Sequence, residues 1–184
     1  MSAIALICLG ACDGARVENL IVAAARLCAE AGPHGLRGCS DLFADRHRDY
    51  RGGVTVNLML ALQIAAADNA AALERRFKQI ESDFGRRRDP QRALPVPLDI
   101  DLVGLVDTQV RWQPRYDPGR PYLFHGLYQL PLPALKQALD TVAAQRGFVP
   151  QRNAEGFYSL AGAGFVERWL RSCDPVADFT AEAR

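Results

Sequence analysis

Two aspartates stand one residue apart in Leu98-Asp99-Ile100-Asp101-Leu102, within an otherwise apolar run that ends at Val106. Alternation at period two marks the run as a strand and puts both carboxylates on one face, their Cα atoms about 7 Å apart. Leu98, Ile100 and Leu102 turn the other way, so a core can anchor the strand while its acidic face is presented. Two hard oxygen donors converging on one point suit a divalent cation such as magnesium. The plain alternative is a solvated strand face. Upstream lie Gly85-Arg86-Arg87-Arg88 and Arg92, and from Glu74 to Arg92 seven basic residues accompany four acidic ones. Planar, permanently charged guanidinium groups match phosphate oxygens, and beside cation-holding carboxylates they make the set that phosphoryl transfer uses. The same arginines could equally be solvated, or paired to Asp83 and Asp89. Asn57 is the third marker. A lone amide inside the apolar run Val54–Leu62 must find partners, because an unsatisfied buried polar group costs about 1–3 kcal/mol. On a rigid strand it could read the edge of a heterocycle, or simply tie down a loop.

The chain around these residues is ordinary in bulk. Its 184 residues suit one domain with a short extension, and 49% hydrophobic with 23% charged residues excludes wholesale disorder. Lys and Arg number 22 against 21 Asp and Glu, for a net charge of +1. So balanced a charge argues against a general nucleic-acid binder or a membrane-surface protein. Cys8, Cys12, Cys28, Cys39 and Cys173 fit no metal-ligand spacing and are expected to be small hydrophobes of a reducing cytosol. His34, His47 and His125 show no ligand spacing either. The apolar opening is too short to span a membrane and is broken by Asp13 and Arg16, so a cytoplasmic chain is expected.

Several elements must position the candidate residues. Ala3–Leu9 is a continuous apolar run, as in a strand buried on both faces. Apolar positions from Val17 to Ala31 recur at helical spacing until Gly32-Pro33. Leu36–Phe43 is a weak strand leading into a charged, exposed loop, Asp45–Gly53. Val54–Leu62 is a buried strand. Asn69 can cap a helix running to about Phe84, with Gly85 as its stop. Arg86–Pro97 is a basic loop with the length and charge of a lid, and the aspartate strand follows it. Tyr122–Leu130 is a mixed apolar stretch. A helix through Leu135, Leu139 and Val142 ends before Gly147, and a short one covers Phe165–Leu170. The order β-α-β-β-α-β predicts an α+β, ferredoxin-like sandwich, its helices on one face of a mainly antiparallel sheet. Residues 1–150 would form this domain, with 151–184 as a C-terminal extension packed on it or trailing. A small doubly wound sheet is the second choice.

The strand asparagine, the run Ile80-Glu81-x-x-x-Gly85-Arg86-x-Arg88 and Leu98-Asp99-x-Asp101-Leu102 together resemble the 6-hydroxymethyl-7,8-dihydropterin pyrophosphokinases of folate biosynthesis. The likeness covers roughly Ala3–Leu130 and is most specific over Ile80–Leu102. It implies a ferredoxin-like fold and transfer of the β,γ-diphosphate of ATP to a pterin hydroxymethyl group, with two Mg²⁺ ions and release of AMP. By the same likeness Asp99 and Asp101 hold the metal, while Glu81 and Arg88 contact the nucleotide. Arg86 is the other arginine of the motif, and Asn57 hydrogen-bonds the pterin. The segment Pro114-Arg115-Tyr116-Asp117 followed by Arg120 and Tyr122 resembles the family's P-H-Y-D stretch. This makes Arg120 the triphosphate arginine and Tyr122 the aromatic stacked on the pterin, with Arg115 and Tyr116 beside the nucleotide.

The departures are specific. Arg115 stands where the family has histidine, Ala93 where the mobile loop has tryptophan, and Thr55 where a tyrosine precedes the strand asparagine. Gly10-Ala11-Cys12 replaces the family's G-S-N, and Val96 replaces an arginine just before the metal strand. Metal and pterin determinants survive better than the loop that closes over ATP. The expected function is therefore Mg²⁺-dependent diphosphate transfer from ATP to hydroxymethyldihydropterin or a related pterin, by a monomer or homodimer. Two alternatives are a weakened paralogue that binds and regulates through a pterin or nucleotide pocket, and a structural partner protein whose acidic strand face is merely solvated. Two like charges aimed at one point have no reason to persist without a cation between them, which favours the enzyme.

Overall fold

The computed structural model describes residues 3–50, 53–65, 69–150 and 155–173. The chain runs β1 (Ile4–Ala11), α1 (Arg16–Ala31), β2 (Leu36–Cys39), β3 (Leu42–Tyr50), β4 (Gly53–Gln63), α2 (Ala70–Asp83) and β5 (Asp99–Val106). It continues through β6 (Val110–Trp112), α3 (Pro121–Leu127), α4 (Pro133–Arg146), β7 (Phe157–Ala161) and α5 (Ala163–Ser172). The strands form one antiparallel sheet in the order β6-β5-β1-β4-β3-β7, with β2 also pairing β4. The inner order β5-β1-β4-β3 with α1 and α2 as the connections is the ferredoxin-like α+β arrangement.

Local signals explain the element ends. Asn69 caps α2 by accepting a 2.9 Å hydrogen bond from the Ala72 N–H. Gly85 ends α2 at φ +81°, a conformation that side-chain-bearing residues rarely adopt. The expected weak strand Leu36–Phe43 is two strands, because Ser40 breaks it. The Ser40 hydroxyl donates to the Asp41 carbonyl and accepts from Met59 N–H at 2.9 Å, holding the break against β4. The charged stretch starting at Asp45 is a correction: it is the second half of β3, and Asp45 is buried. Opposite Asp45 lies Thr55 and opposite Asp49 lies Val54, so a bulge absorbs the intervening residues and the ladder continues despite the charges.

Every residue from Ala5 to Leu9 is buried, as a continuous apolar run requires of a strand covered on both sides. Ile7 and Leu9 face a core made with α1, α2 and α5, whereas Leu6 and Cys8 face a second core made with α3 and α4. The two helices of the βαββαβ unit share one face, as expected. The opposite face is covered by α3, built from the stretch expected only to be mixed and apolar, and by α4. Part of the C-terminal extension is integral: β7 adds to the sheet beside β3, and Val166 and Leu170 of α5 enter the first core. The five cysteines are free thiols, with Cys8, Cys28 and Cys39 buried. No helix among the described residues is long and apolar enough to cross a membrane.

Gly126 lets α3 settle onto the sheet. A Cβ there would lie 2.5 Å from Met59 Cγ and 3.0 Å from Phe43 Cε1, both in buried side chains. Gly126→Ala is expected to cost about 1–3 kcal/mol through overpacking, seen as a lower denaturation midpoint with an unchanged slope. An unchanged midpoint would mean that this contact relaxes freely.

Candidate active site

Asp99 and Asp101 leave the β1-facing part of β5 on the same side of the sheet as α3. Their ladder partners on β1 are Gly10 and Cys8, and those residues pair on their other side with Asn57 and Met59 of β4. One row across the sheet therefore reads Phe43, Asn57, Gly10, Asp99, with all side chains on one face. Gly10 leaves the middle of the row without a side chain; a Cβ there would sit 3.4 Å from Asn57 Oδ1. Asn57 is almost fully buried, and its amide nitrogen has no hydrogen-bond partner.

Around the carboxylates the structure gathers most of the predicted charges. Arg88 lies 2.5 Å from Glu81 Oε2 and 3.5 Å from Asp99 Oδ1. Glu81, expected at the nucleotide, is buried behind Arg88, and its other oxygen accepts from Ile100 N–H at 2.8 Å. It thus ties α2 to the aspartate strand and orients Arg88. The Tyr116 hydroxyl donates to Asp101 Oδ1. Arg115 lies 3.9 Å from Asp101 and 4.9 Å above the Tyr116 ring. Glu74 holds Arg115 at 3.2 Å and had no part in the sequence expectation. It sits two helical turns before Glu81 on α2, a spacing that puts both on one face and could have revealed it.

Arg86 is half-buried and donates to the carbonyls of Arg87 and Pro95 at 3.1 and 3.2 Å, with its charge acting on Asp99. Arg120 is exposed at the start of α3, where its charge is felt by Asp117. Tyr122, in the first turn of the same helix, packs at the edge of the α3–α4 core. The basic loop is less free than a lid of its full length. Val96 accepts from the Cys12 and Asp13 N–H groups at 3.0 and 3.2 Å and donates to Asp13 Oδ2 at 2.8 Å, pinning the loop's end to β1. Cys12, expected with the other cysteines to be a small packed hydrophobe, lies 3.5 Å from the Thr55 hydroxyl beside this row.

Electrostatics mark the acidic pair as strained without a cation. Burial, and then the neighbouring charges of Asp101 and Glu81, push Asp99 up to about 6 against the opposing pull of Arg86 and Arg88. Burial also raises Asp101, opposed by the Tyr116 hydrogen bond and by Arg115. The Tyr116 phenol is pushed up by burial and by its bond to Asp101.

This has a measurable consequence. An unfolded aspartate ionises near ~3.9, so between there and about 6 the folded protein holds the extra proton. The stability this contributes is complete below that window and is lost as pH rises through about 6. Asp99 is 39% exposed, so solvent screening leaves on the order of 1 kcal/mol. Asp99→Asn should therefore raise Tm by about 2–4 °C at neutral pH and have little effect near pH ~4. Magnesium should raise the melting temperature of the unaltered chain alone. An Asp99→Asn protein that melts lower at neutral pH would contradict the strain.

Among the described residues no group of three or more His, Cys, Asp or Glu side chains could hold a metal ion. Two carboxylates are nevertheless what magnesium takes from a protein when substrate phosphates and water complete its octahedron, and the strained pair fits that demand. No family model matches the chain, and no curated protein is similar to it.

Proposed function

We propose that this chain transfers the β,γ-diphosphate of ATP to the hydroxymethyl group of a pterin, releasing AMP. The observation that carries the reading is the row Asn57, Gly10, Asp99. An unpartnered buried amide and a strained acidic pair lie two strand spacings apart, about 10 Å, across a gap without a side chain. That separation suits a bicyclic heterocycle whose ring edge meets Asn57 and whose hydroxymethyl arm reaches the carboxylates. As the resemblance implies, Tyr122, on the helix α3 that covers this face, would be the aromatic over the ring.

Magnesium held by Asp99 and Asp101 would neutralise and gather the phosphate oxygens. The protein's own groups do the rest. Arg88, held by Glu81 yet 46% exposed, presents its guanidinium to a phosphate, with Arg86 and Arg115 adding charge on either side. Arg120 waits at the start of α3 for the far end of the triphosphate. The pterin oxygen bonds to the β-phosphorus, the bond from that phosphorus to the α-bridging oxygen breaks, and AMP leaves with the electron pair. The hydroxyl proton passes to water. Positioning and charge neutralisation supply most of the rate in such a loose transition state, so the missing family histidine is no obstacle.

A second reading, a pterin- or nucleotide-binding protein without turnover, is favoured by Tyr116 and Arg115, which already engage Asp101. Incubation with Mg²⁺-ATP, with and without 6-hydroxymethyl-7,8-dihydropterin, separates the two. Pterin-dependent AMP supports the enzyme. Calorimetric binding without AMP supports the second reading.

A further inference from the structure

Arg115, Tyr116 and Arg120 share one loop, residues 113–120, which leaves β6 and enters α3. Backbone bonds fold it into two turns. Tyr116 N–H donates to the Gln113 carbonyl at 2.9 Å, and Arg120 N–H to the Asp117 carbonyl at 3.0 Å. The start of the loop is fixed to β5, where Gln113 N–H reaches the Val103 carbonyl at 2.9 Å. Asp117 stands between the turns and also accepts from Gly119 N–H at 2.9 Å.

Among the described residues, side chains hold this loop at three points. Tyr116 donates to Asp101, Arg115 lies between Glu74 and Asp101, and Asp117 pairs with Arg146. The third is a fork. Arg146 Nη1 donates to Asp117 Oδ2 at 2.9 Å and Nη2 to Oδ1 at 2.6 Å, a paired geometry that a guanidinium offers a carboxylate and an ammonium does not. Gly119 leaves room for it, since a Cβ there would lie 2.5 Å from Arg146 Nη1 and 2.6 Å from its Cζ. The bonds from Arg146 hold the Asp117 carboxyl below its usual range. Arg146 itself is presented from a firm base. It ends α4, which Leu135, Leu139 and Ala143 root in the second core, and Phe148 just beyond it meets Phe124 of α3 edge-on at 4.9 Å.

The three tethers differ in what the proposed chemistry asks of them. Two end on groups that the reaction recruits: Asp101 for the cation and Arg115 for phosphate. The third joins the loop to α4 and involves neither. We propose that Arg146 is a positioning residue, which through Asp117 keeps the loop docked while Asp101 and Arg115 turn to cation and phosphates, so that Tyr116 and Arg120 stay in place. The inference rests on the diphosphate-transfer reading above and adds to it the control of one loop. The pair is 47% and 39% exposed, so it contributes little to the resting fold, and its loss is felt once the other two tethers are engaged elsewhere.

Hydrogen exchange of the full chain, read over residues 113–120 with and without Mg²⁺ and inorganic tripolyphosphate, tests this without any turnover. In the unaltered chain the loop should stay protected in both states. Without the ligands, Arg146→Gln should exchange within about twofold of the unaltered chain, because Tyr116 and Arg115 still hold the loop. With them, the variant's loop should exchange about tenfold faster or more. Arg146→Lys keeps the charge and should recover part of the protection. Melting temperatures of both variants should stay within about 3 °C of the parent, as for an exposed pair. Equal loosening with and without the ligands, or a loaded Arg146→Gln loop as protected as the parent's, overturns the tether and leaves the diphosphate-transfer reading standing. An unaltered chain whose melting temperature Mg²⁺ and tripolyphosphate do not raise overturns both.

Discussion

Asp99→Ala and Asp101→Ala are each expected to lower magnesium-dependent AMP formation by roughly a thousandfold or more, while the protein stays folded. The size follows from the division of labour at the site. Arginines can neutralise part of the triphosphate, but no other pair of hard oxygen donors shares the face of β5 that meets Gly10 and Cys8. Stability moves in the opposite direction from activity. Burial, and then the Asp101 charge, push Asp99 up to about 6; removing either carboxylate relieves part of that strain, so an inactive variant should melt no lower than its parent at neutral pH. Initial rates at saturating Mg²⁺-ATP and pterin, read beside melting curves, check both halves. Full activity in either variant would remove the metal-holding role; inactivity with unfolding would show that the strand depends on the carboxylates.

The other large effect is expected at Glu81. Its side chain is 1% exposed and makes two bonds at once, accepting from Ile100 N–H at 2.8 Å and from Arg88 at 2.5 Å. Glu81→Ala leaves the Ile100 donor unsatisfied in the interior and releases Arg88, for a loss of about 2–4 kcal/mol. Glu81→Gln keeps an acceptor for Ile100 but weakens the hold on Arg88. It should cost less stability while raising the KM for ATP about tenfold, because Arg88 is then no longer preset toward the phosphates. Denaturant unfolding and steady-state kinetics on the two variants separate these contributions. If Glu81→Gln leaves the KM for ATP unchanged, Arg88 does not need its tether.

The legible part of this protein was what local pattern controls. Asn69, Gly85 and the apolar run Ala5–Leu9 carry their own signals in capping, backbone conformation and burial on both faces, and the structure follows them. The aspartate pair was legible for the same reason, since period two alone sets Asp99 and Asp101 on one side of β5. What escaped depends on register between distant segments. Nothing near Asp45 announces burial; its charge and the residues after it suggest an exposed loop, and only the β3–β4 ladder with its bulge brings it inside. Likewise the importance of Gly10 comes from its partners, Asn57 on one side and Asp99 on the other. The covering of the second face was implied by the apolar run in β1, yet nothing local assigns α3 and α4 to it: α3 fits there because Gly126 has no side chain to meet Met59 and Phe43, and α4 because Leu135, Leu139 and Ala143 enter the same core.

Phosphorus NMR of the products formed from Mg²⁺-ATP and 6-hydroxymethyl-7,8-dihydropterin tests the proposed chemistry most directly, because it reports which phosphorus–oxygen bond breaks. Attack at the β-phosphorus predicts AMP and a pterin diphosphate ester in equal amounts, with both signals absent for Asp101→Ala. ADP with a pterin monophosphate, or ATP left intact, would contradict it.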